Sequence, residues 1–117
     1  MSQGTSRRGF TLVEIMIVVA IIGLLAALAV PNFIKARANA QKNSCIANLR
    51  LIDTSVQQWA LENKKVATDT YATTDATLLA YLKGSVLPAC PGGGTYSAGA
   101  TVSAAPTCSQ SGVGHTL

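Results

Sequence analysis

The sequence is poor in charge, in acidic residues and in histidine. Charged side chains make up 12% of the 117 residues, with nine basic residues, five acidic residues and His115 as the single histidine. The net charge is +4, or +2 without Arg7 and Arg8 near the N-terminus, and it is too small and its charges are too scattered to indicate nucleic-acid binding. No catalytic set can be assembled around one histidine that has no partner nearby in the sequence. We therefore expect neither an enzyme nor a cofactor.

Metal-ligating residues are equally scarce. The chain has three cysteines, Cys45, Cys90 and Cys108, and their separations along the chain are not those of zinc motifs. His115 lies in a polar tail, where a lone histidine is expected to be solvated. The run from Pro91 to Gly94 lacks the lysine and the following helix of a phosphate-binding loop, so it is expected to be a turn. We therefore expect no metal site.

The sequence does contain one long apolar run, Phe10 to Val30, whose single charged residue is Glu14. About 20 apolar residues allow an α-helix to cross a bilayer core of roughly 30 Å. Arg7 and Arg8 precede the run, and by the positive-inside rule they place the N-terminus in the cytoplasm. Burial of the Glu14 carboxylate in lipid costs on the order of 2.5–3.5 kcal/mol, so this residue needs a partner.

The residues around this run form a motif. The string RRGFTLVE at residues 7–14, followed by an apolar helix and Pro31, resembles the N-terminal signal of type IV pilins and of type II secretion pseudopilins. The resemblance is specific from Arg7 to Pro31 and weaker beyond. It implies that a prepilin peptidase cuts after Gly9 and methylates the new amino group of Phe10.

Glu14 is interpreted as an assembly residue. Cleavage would create a cationic amine on Phe10, at a helix end where the dipole also favours a carboxylate. In a bundle of like helices, Glu14 can pair with the amine of a neighbouring chain or of its own, so that two costly charges compensate one another. Such a pair would fix the axial register of the subunits. The alternative is that Glu14 only snorkels to the interface.

Two other targeting signals would remove the helix. Ala27-Leu28-Ala29 resembles a secretory cleavage site, and residues 6–10 resemble part of a twin-arginine signal. Both are disfavoured by the acidic residue inside the run. Its length of about 20 apolar residues also exceeds the 7–15 that are usual for a signal peptide.

Pro31 is expected to bend the helix rather than end it, because apolar side chains continue at helical spacing beyond it. They form a stripe of seven residues: Ile34, Ala38, Cys45, Leu49, Ile52, Val56 and Trp59. We expect one helix of about 50 residues, from Phe10 to near Asn63, some 75–80 Å long. Its first half is apolar all round, and the stripe of its amphipathic second half should pack against the rest of the chain.

The remaining residues predict short elements. Lys64 to Thr77 is predicted to be a loop. Ala76 to Lys83 is predicted to be a short helix that Asp75 caps and Gly84 ends. Strand candidates are Gly94–Ala98, Ala100–Ser103, and either Thr107–Ser109 or Val113–Leu117. The expected fold class is α+β, a long helix with a small antiparallel sheet across its amphipathic half. The resemblance implies the same pilin-like arrangement.

The expected divisions of the chain follow from these elements. They are a leader at 1–9, a membrane-spanning or filament-core half-helix at 10–30, an amphipathic half-helix at 31–63, a loop with a short helix at 64–84, and a small sheet region at 85–117.

The cysteines are disulfide candidates, because a head beyond the inner membrane sits in an oxidising space. Cys90 and Cys108 flank the glycine-rich turn, and their pairing would close a loop of about 19 residues worth roughly 3 kcal/mol. Cys45 lies on the stripe. It could instead join the helix to the sheet through Cys90 or Cys108, or remain a buried thiol.

The resemblance implies a structural subunit of a type IV pilus-type filament. Its partners would be copies of itself in a helical homopolymer, prepilin peptidase, an inner-membrane assembly platform, membrane lipid before assembly, and minor pilins. It would lie in the inner membrane before assembly and in an extracellular pilus or periplasmic pseudopilus afterwards. A type II secretion pseudopilin is the alternative, although the acidic calcium-binding residues common in that group are missing from 98–117. A monomeric, membrane-anchored binding module is a third reading.

Overall fold

The computed structural model describes Gly4 and residues 9–117. Arg7, Arg8 and most of the expected leader and of the twin-arginine alternative lie outside the described residues. The chain forms two compact units, Met1–Ala36 (unit 1) and Arg37–Leu117 (unit 2). The finer division into five segments stays a prediction.

One helix, α1, runs from Leu12 to Glu62 over 51 residues and contains Pro31. The prediction of a single helix from Phe10 to near Asn63 is therefore confirmed to within two residues at each end. Pro31 has no N–H to donate to the preceding turn. One residue further on, Asn32 donates its side-chain N–H to the carbonyl of Leu28 at 3.3 Å. The bend expected at Pro31 stays a prediction.

In unit 1, the apolar side chains of α1 point outward all round the helix. Every large apolar side chain from Phe10 to Ile34 is at least 49% exposed. By length and composition α1 is able to cross a membrane, and none of its most apolar stretch is buried within the chain. A helix that is apolar on every side needs lipid or other protein chains to cover it.

In unit 2, the second half of α1 carries the core. Cys45, Leu49, Ile52, Val56 and Trp59 are all buried, at spacings of four, three, four and three residues. These five members of the predicted stripe are confirmed, since this spacing places them on one helix face. The residues that cover them come from later in the chain and include Tyr71, Leu78, Cys90, Tyr96, Val102 and Cys108.

The first two members of the predicted stripe are corrected. Ile34 is 61% exposed and Ala38 is also exposed. The core of unit 2 begins only at Cys45, so helical periodicity alone extended the stripe too far towards the N-terminus.

The predicted short helix is real but shorter than expected. It is α2, Ala76–Leu79, and the Asp75 carboxylate caps it by accepting from the Thr77 N–H at 2.9 Å. The chain then continues through turns to a 3-10 segment at Lys83–Ser85. Gly84 lies there with a φ of 73°, the left-handed conformation that glycine adopts most readily.

The sheet has two strands, β1 at Tyr96–Ser97 and β2 at Thr107–Cys108, paired antiparallel with Tyr96 opposite Cys108. The strand candidate Gly94–Ala98 and the first of the two alternatives for the last strand, Thr107–Ser109, are thus confirmed, whereas the candidate Ala100–Ser103 is wrong. Within Ala100–Ser103, the N–H groups of Val102 and Ser103 donate to the carbonyls of Asp69 and Ala67, so this segment bonds to the loop after α1. The tail forms a 3-10 segment at Ser111–Val113. The α+β fold class, a long helix with a small antiparallel sheet, is confirmed.

Candidate functional site

The predicted processing site lies just before α1. Gly9, Phe10 and Thr11 have no regular secondary structure, and Leu12 is the first helical residue. Phe10 is 85% exposed, and apart from the chain neighbours of Gly9 no atom of the described residues lies within 4 Å of the position that a Cβ on Gly9 would occupy. The peptide bond between Gly9 and Phe10 is thus in an open, non-helical segment.

Glu14 caps the N-terminus of α1. Its carboxylate accepts from the Thr11 N–H at 3.2 Å, and the Thr11 hydroxyl accepts from the Glu14 N–H at 3.3 Å. These reciprocal bonds are a capping box, which satisfies two backbone donors that a helix N-terminus otherwise leaves without partners. Sequence reasoning missed this role of Thr11, although a threonine three residues before a glutamate is its signal.

The capping box also brings the Glu14 carboxylate close to where the predicted amine would be. The N–H that it binds belongs to Thr11, the residue directly after Phe10. The amine of Phe10 exists only after cleavage, so pairing of Glu14 with it stays a prediction. The roles predicted for Gly9, Phe10 and Pro31 stay predictions as well.

A second group of functional side chains lies in unit 2. The Sγ atoms of Cys45, Cys90 and Cys108 and a ring nitrogen of His115 all lie within 4.8 Å of one another. We call these four residues the Cys3His cluster. All four are buried, with exposures between 0 and 6%. The expectation that His115 would be solvated is wrong.

Four different parts of unit 2 contribute to the Cys3His cluster. Cys45 is on α1, Cys90 precedes the glycine-rich turn, Cys108 ends β2, and His115 follows the last 3-10 segment. Gly114, with a φ of 90°, turns the chain so that His115 points inward. No periodicity in the sequence predicts this placement, because each of the four residues comes from a separate segment.

The segment around Cys90 is tied to α1. Asn48 donates a side-chain N–H to the carbonyl of Ala89 at 3.1 Å, and Gln41 donates to the carbonyl of Pro91 at 3.3 Å. The Gly93 N–H donates to the carbonyl of Cys90 at 3.0 Å and closes the turn expected from the sequence. These bonds hold the Cys90 side chain against the helix.

Two glycines allow the cluster to pack closely. A Cβ on Gly92 would lie 2.9 Å from Cε1 of His115, and a Cβ on Gly94 would lie 2.8 Å from Sγ of Cys108. Real Cβ atoms do not approach other atoms so closely. The glycine-rich run is therefore required by packing around the sulfur atoms.

The thiols differ in acidity. Burial raises the pKa of the Cys45 thiol to about 12. Burial also acts to raise the pKa of Cys90, but N–H groups of Gly92 and Gly94 that donate to its sulfur oppose this effect. Together with the neighbouring Cys45 and His115 side chains they lower the pKa of Cys90 to about 6. The lowered pKa favours the thiolate form of Cys90.

Chemically, the cluster can form a disulfide or bind a soft metal ion. All three cysteines are free thiols in the structure, and their proximity permits any of the three pairings. The disulfide predicted between Cys90 and Cys108, with Cys45 as the alternative partner, stays a prediction.

Comparison with known proteins identifies the N-terminal segment. Residues 4–30 match the family described as the prokaryotic N-terminal methylation motif. The type IV major pilin protein PilA of Myxococcus xanthus is 48% identical over 58 residues, which cover 50% of this chain and 26% of that protein. No solved structure matches the chain.

Two further relatives extend the comparison. The type II secretion system core protein G of Dickeya chrysanthemi is 34% identical over 82 residues, covering 70% of this chain and 50% of that protein. A fimbrial protein of Pseudomonas aeruginosa is 39% identical over 61 residues, covering 52% of this chain and 40% of that protein. The chain spans between about a quarter and about half the length of these curated relatives.

These relatives are structural subunits, and none is named as an enzyme. The resemblance seen from Arg7 onward is confirmed by the family match at residues 4–30, which covers the predicted processing site and the apolar half of α1. The chain carries the prepilin-type N-terminal methylation motif, and its relatives are type IV pilins and type II secretion pseudopilins.

Proposed function

We propose that this chain is a pilin-like structural subunit. After cleavage following Gly9 and N-methylation of Phe10, it polymerises through α1 into a type IV pilus-type filament. One observation carries the proposal. The methylation motif at residues 4–30 runs directly into a helix whose apolar side chains are exposed on every side. Such a surface is stable in lipid before assembly and against other copies of the helix afterwards.

The partners follow from this sequence of events. The subunit is held in the inner membrane by α1, with its N-terminus on the cytoplasmic side, where prepilin peptidase reaches the bond after Gly9. An inner-membrane assembly platform then transfers it, together with minor pilins, into a helical homopolymer. The exposed, non-helical segment before Leu12 supports access by the peptidase.

Glu14 has two separable roles in this proposal. Its carboxylate caps its own helix through the Thr11 N–H, and in the filament it pairs with the amine of Phe10. A glutamine at this position retains an oxygen that can accept from the Thr11 N–H, since capping boxes use glutamate or glutamine. It has no negative charge for the amine.

The test compares Glu14→Gln with Glu14→Ala in cells. If charge pairing drives assembly, both variants are processed but yield few or no filaments in the sheared cell-surface or periplasmic fraction. Mass spectrometry of the N-terminal peptide should show methylated Phe10 in wild type and in both variants. Thr11→Ala is the matched control, because it removes half of the capping box and keeps the charge.

Thr11→Ala should therefore assemble close to the wild-type level. If Glu14→Gln assembles normally and Thr11→Ala does not, then capping and not charge pairing is the role of Glu14. If no methylated Phe10 and no filaments are found for wild type, the proposed function itself is wrong. The chain would then act as a monomeric, membrane-anchored module.

A second candidate function is a pseudopilin of a type II secretion system. The similarity to core protein G favours it, because that match covers 70% of this chain, against 50% for the pilin of Myxococcus xanthus. Against it, residues 98–117 contain no acidic side chain to bind the calcium common in that group. Deletion of the gene separates the two: loss of surface pili indicates a pilin, and retention of exoproteins in the periplasm indicates a pseudopilin.

A further inference from the structure

The Cys3His cluster has the composition of a metal site. Three thiols and one imidazole converge on one point inside unit 2. We propose that unit 2 binds one structural zinc ion through four side chains: Cys45, Cys90, Cys108 and His115. Zinc in structural sites takes four cysteine and histidine ligands in a tetrahedral arrangement, and three cysteines with one histidine is among its usual sets.

The distances between ligand atoms fit this ion. With Zn–S near 2.3 Å and Zn–N near 2.0–2.1 Å, a regular tetrahedron separates two sulfurs by about 3.8 Å and a sulfur from a nitrogen by about 3.6 Å. The Sγ of Cys90 lies 3.5 Å from Nδ1 of His115. All other ligand atoms lie within 4.8 Å of one another, so shifts of about 1 Å or less complete the tetrahedron.

The surroundings of the sulfurs are those of metal-bound thiolates. The Gln110 N–H donates to the Cys108 sulfur at 3.5 Å, and the backbone N–H groups of Gly92 and Gly94 act to lower the pKa of Cys90. Hydrogen bonds of this kind orient ligands and stabilise their negative charge. The Tyr96 hydroxyl, which accepts from the Asn48 side chain at 3.1 Å, acts to lower the pKa of the Cys45 thiol. Each sulfur therefore has a polar neighbour outside the cluster.

The ion would add a further link between four parts of unit 2 that already share one small core. The sheet contains only two residues in each strand, and α2 is four residues long. A unit of 81 residues with so little regular structure has a small core, and domains of this size often depend on disulfides or metals. One zinc ion would link α1, the glycine-rich turn, β2 and the tail.

A single disulfide accounts for the cluster less well. It would use two of the three sulfurs and leave a third thiol and the imidazole of His115 buried beside it. Zinc uses all four groups. Because zinc binds thiolates and neutral imidazole, every thiol that is still protonated releases a proton to solvent on binding. The resulting site of one Zn²⁺ and three thiolates has a net charge of −1.

The site borders solvent on the side of His115. A cleft of about 320 Å³ opens beside His115 and is lined by Lys42, Gly92 and Gln110 among others. The side chain of Lys42 passes over Gly114, where a Cβ would lie 2.9 Å from its Cε. Lys42 thus places a positive charge next to a site of net negative charge, which stabilises the occupied state.

The first measurement uses the full-length chain, purified in detergent without chelators. Elemental analysis should give about one zinc per chain, as expected for one four-ligand site. Replacement of zinc by Co²⁺ should give the sulfur-to-cobalt charge-transfer and d–d absorption of a tetrahedral thiolate site. This measurement needs no variant, so it does not depend on whether a mutant folds. Absence of zinc together with absence of the cobalt spectrum overturns the proposal.

The second measurement compares His115→Ala with Thr116→Ala, its exposed neighbour. His115→Ala should weaken zinc binding by more than the roughly 10–100-fold typical of a residue outside the ligand set. Thr116→Ala should bind zinc as wild type does. Equal affinity of the two variants overturns the assignment of His115 as a ligand.

The third measurement counts thiols in the denatured chain. With zinc bound in the native state, all three cysteines react with maleimide after denaturation in chelator, without any reductant. If two of them react only after reduction, a disulfide occupies the site and the proposal is wrong. Zinc content is independent of filament formation, so Glu14→Ala should bind zinc normally even though its assembly fails. Failure of the zinc proposal and failure of the proposed function are thereby told apart.

Discussion

At the scale of single residues, a chain of side-chain hydrogen bonds in unit 2 links Trp59, Thr77 and Asp75. Trp59 donates its indole N–H to the Thr77 hydroxyl at 2.9 Å, and that hydroxyl donates to the Asp75 carboxylate at 2.7 Å. Asp75 in turn caps α2. This chain of bonds joins the core side of α1 to the start of α2, and it depends on the one hydroxyl of Thr77.

Thr77→Val should therefore destabilise unit 2. Valine has the shape of threonine but leaves the indole N–H of buried Trp59 without an acceptor, a loss of about 1–3 kcal/mol in the free energy of unfolding. Thr77→Ser keeps the hydroxyl and should lose much less. Urea unfolding followed by Trp fluorescence measures both, since Trp59 is the single tryptophan. Equal destabilisation by valine and serine would show that the hydroxyl is not the cause.

The charge of Asp75 gives a pH dependence. The side-chain hydrogen bond from Thr77, followed by the Thr77 N–H, lowers the pKa of Asp75 below its ordinary value of 3.8. A lowered folded pKa stabilises the folded state above the unfolded pKa, and this contribution is lost as pH falls through the folded pKa. Asp75→Asn should be less stable than wild type at pH 6, with the difference shrinking below pH 3.8. The measurement is the urea midpoint of both proteins across this pH range. A difference between the two midpoints that stayed constant with pH would contradict a lowered pKa of Asp75.

At the scale of elements, α1 is one continuous helix whose two halves have different surroundings. Its apolar first half is exposed, whereas its second half buries a stripe from Cys45 to Trp59. Periodicity predicted the helix and five residues of this stripe, because helical spacing depends only on neighbours in sequence. It overextended the stripe to Ile34 and Ala38, because burial also requires a covering segment, which comes from distant parts of the chain.

Leu49→Ala tests the buried stripe. Leu49 is fully buried, so its truncation should cost about 2–5 kcal/mol in the free energy of unfolding. Leu61→Ala is the matched control on the same helix, since Leu61 is 81% exposed and its truncation should change stability by no more than about 0.5 kcal/mol. A comparable cost for both variants, measured by urea unfolding, would contradict the observed burial.

The short elements show where sequence reasoning reaches its limit. Asp75 as a cap and the turn at residues 91–94 were predictable, because both depend on local chemistry. The strand expected at residues 100–103 was wrong because its backbone bonds to residues 67 and 69 instead. The Cys3His cluster was missed for a related reason. Its four residues come from segments far apart in sequence, and His115 is buried after the chain turns at Gly114.

At the scale of the whole molecule, the two units differ in what stabilises them. Unit 2 has a core made by its own residues, whereas the apolar side chains of unit 1 have no cover from any residue that the structure describes. Membrane retention and filament formation should therefore depend on unit 1, and cooperative unfolding of the head on unit 2. Substitutions that do not share partners have independent effects, so the two properties should be separable by mutation.

The double variant Ile21→Lys/Leu25→Lys tests this separation. Both residues lie on one face of the apolar half and are 53% and 60% exposed. Two lysines in a bilayer-spanning helix cost on the order of 5–7 kcal/mol in insertion free energy, so the variant should move from the membrane pellet to the soluble fraction after alkaline extraction. Its head should unfold at the wild-type urea concentration, because neither side chain contributes to the core.

Leu49→Ala should behave in the opposite way, remaining in the membrane while its head unfolds more easily. If the lysine variant were instead retained in the membrane, or if its head unfolded early, the apolar half of α1 would not be the membrane and filament element that its exposed surface indicates.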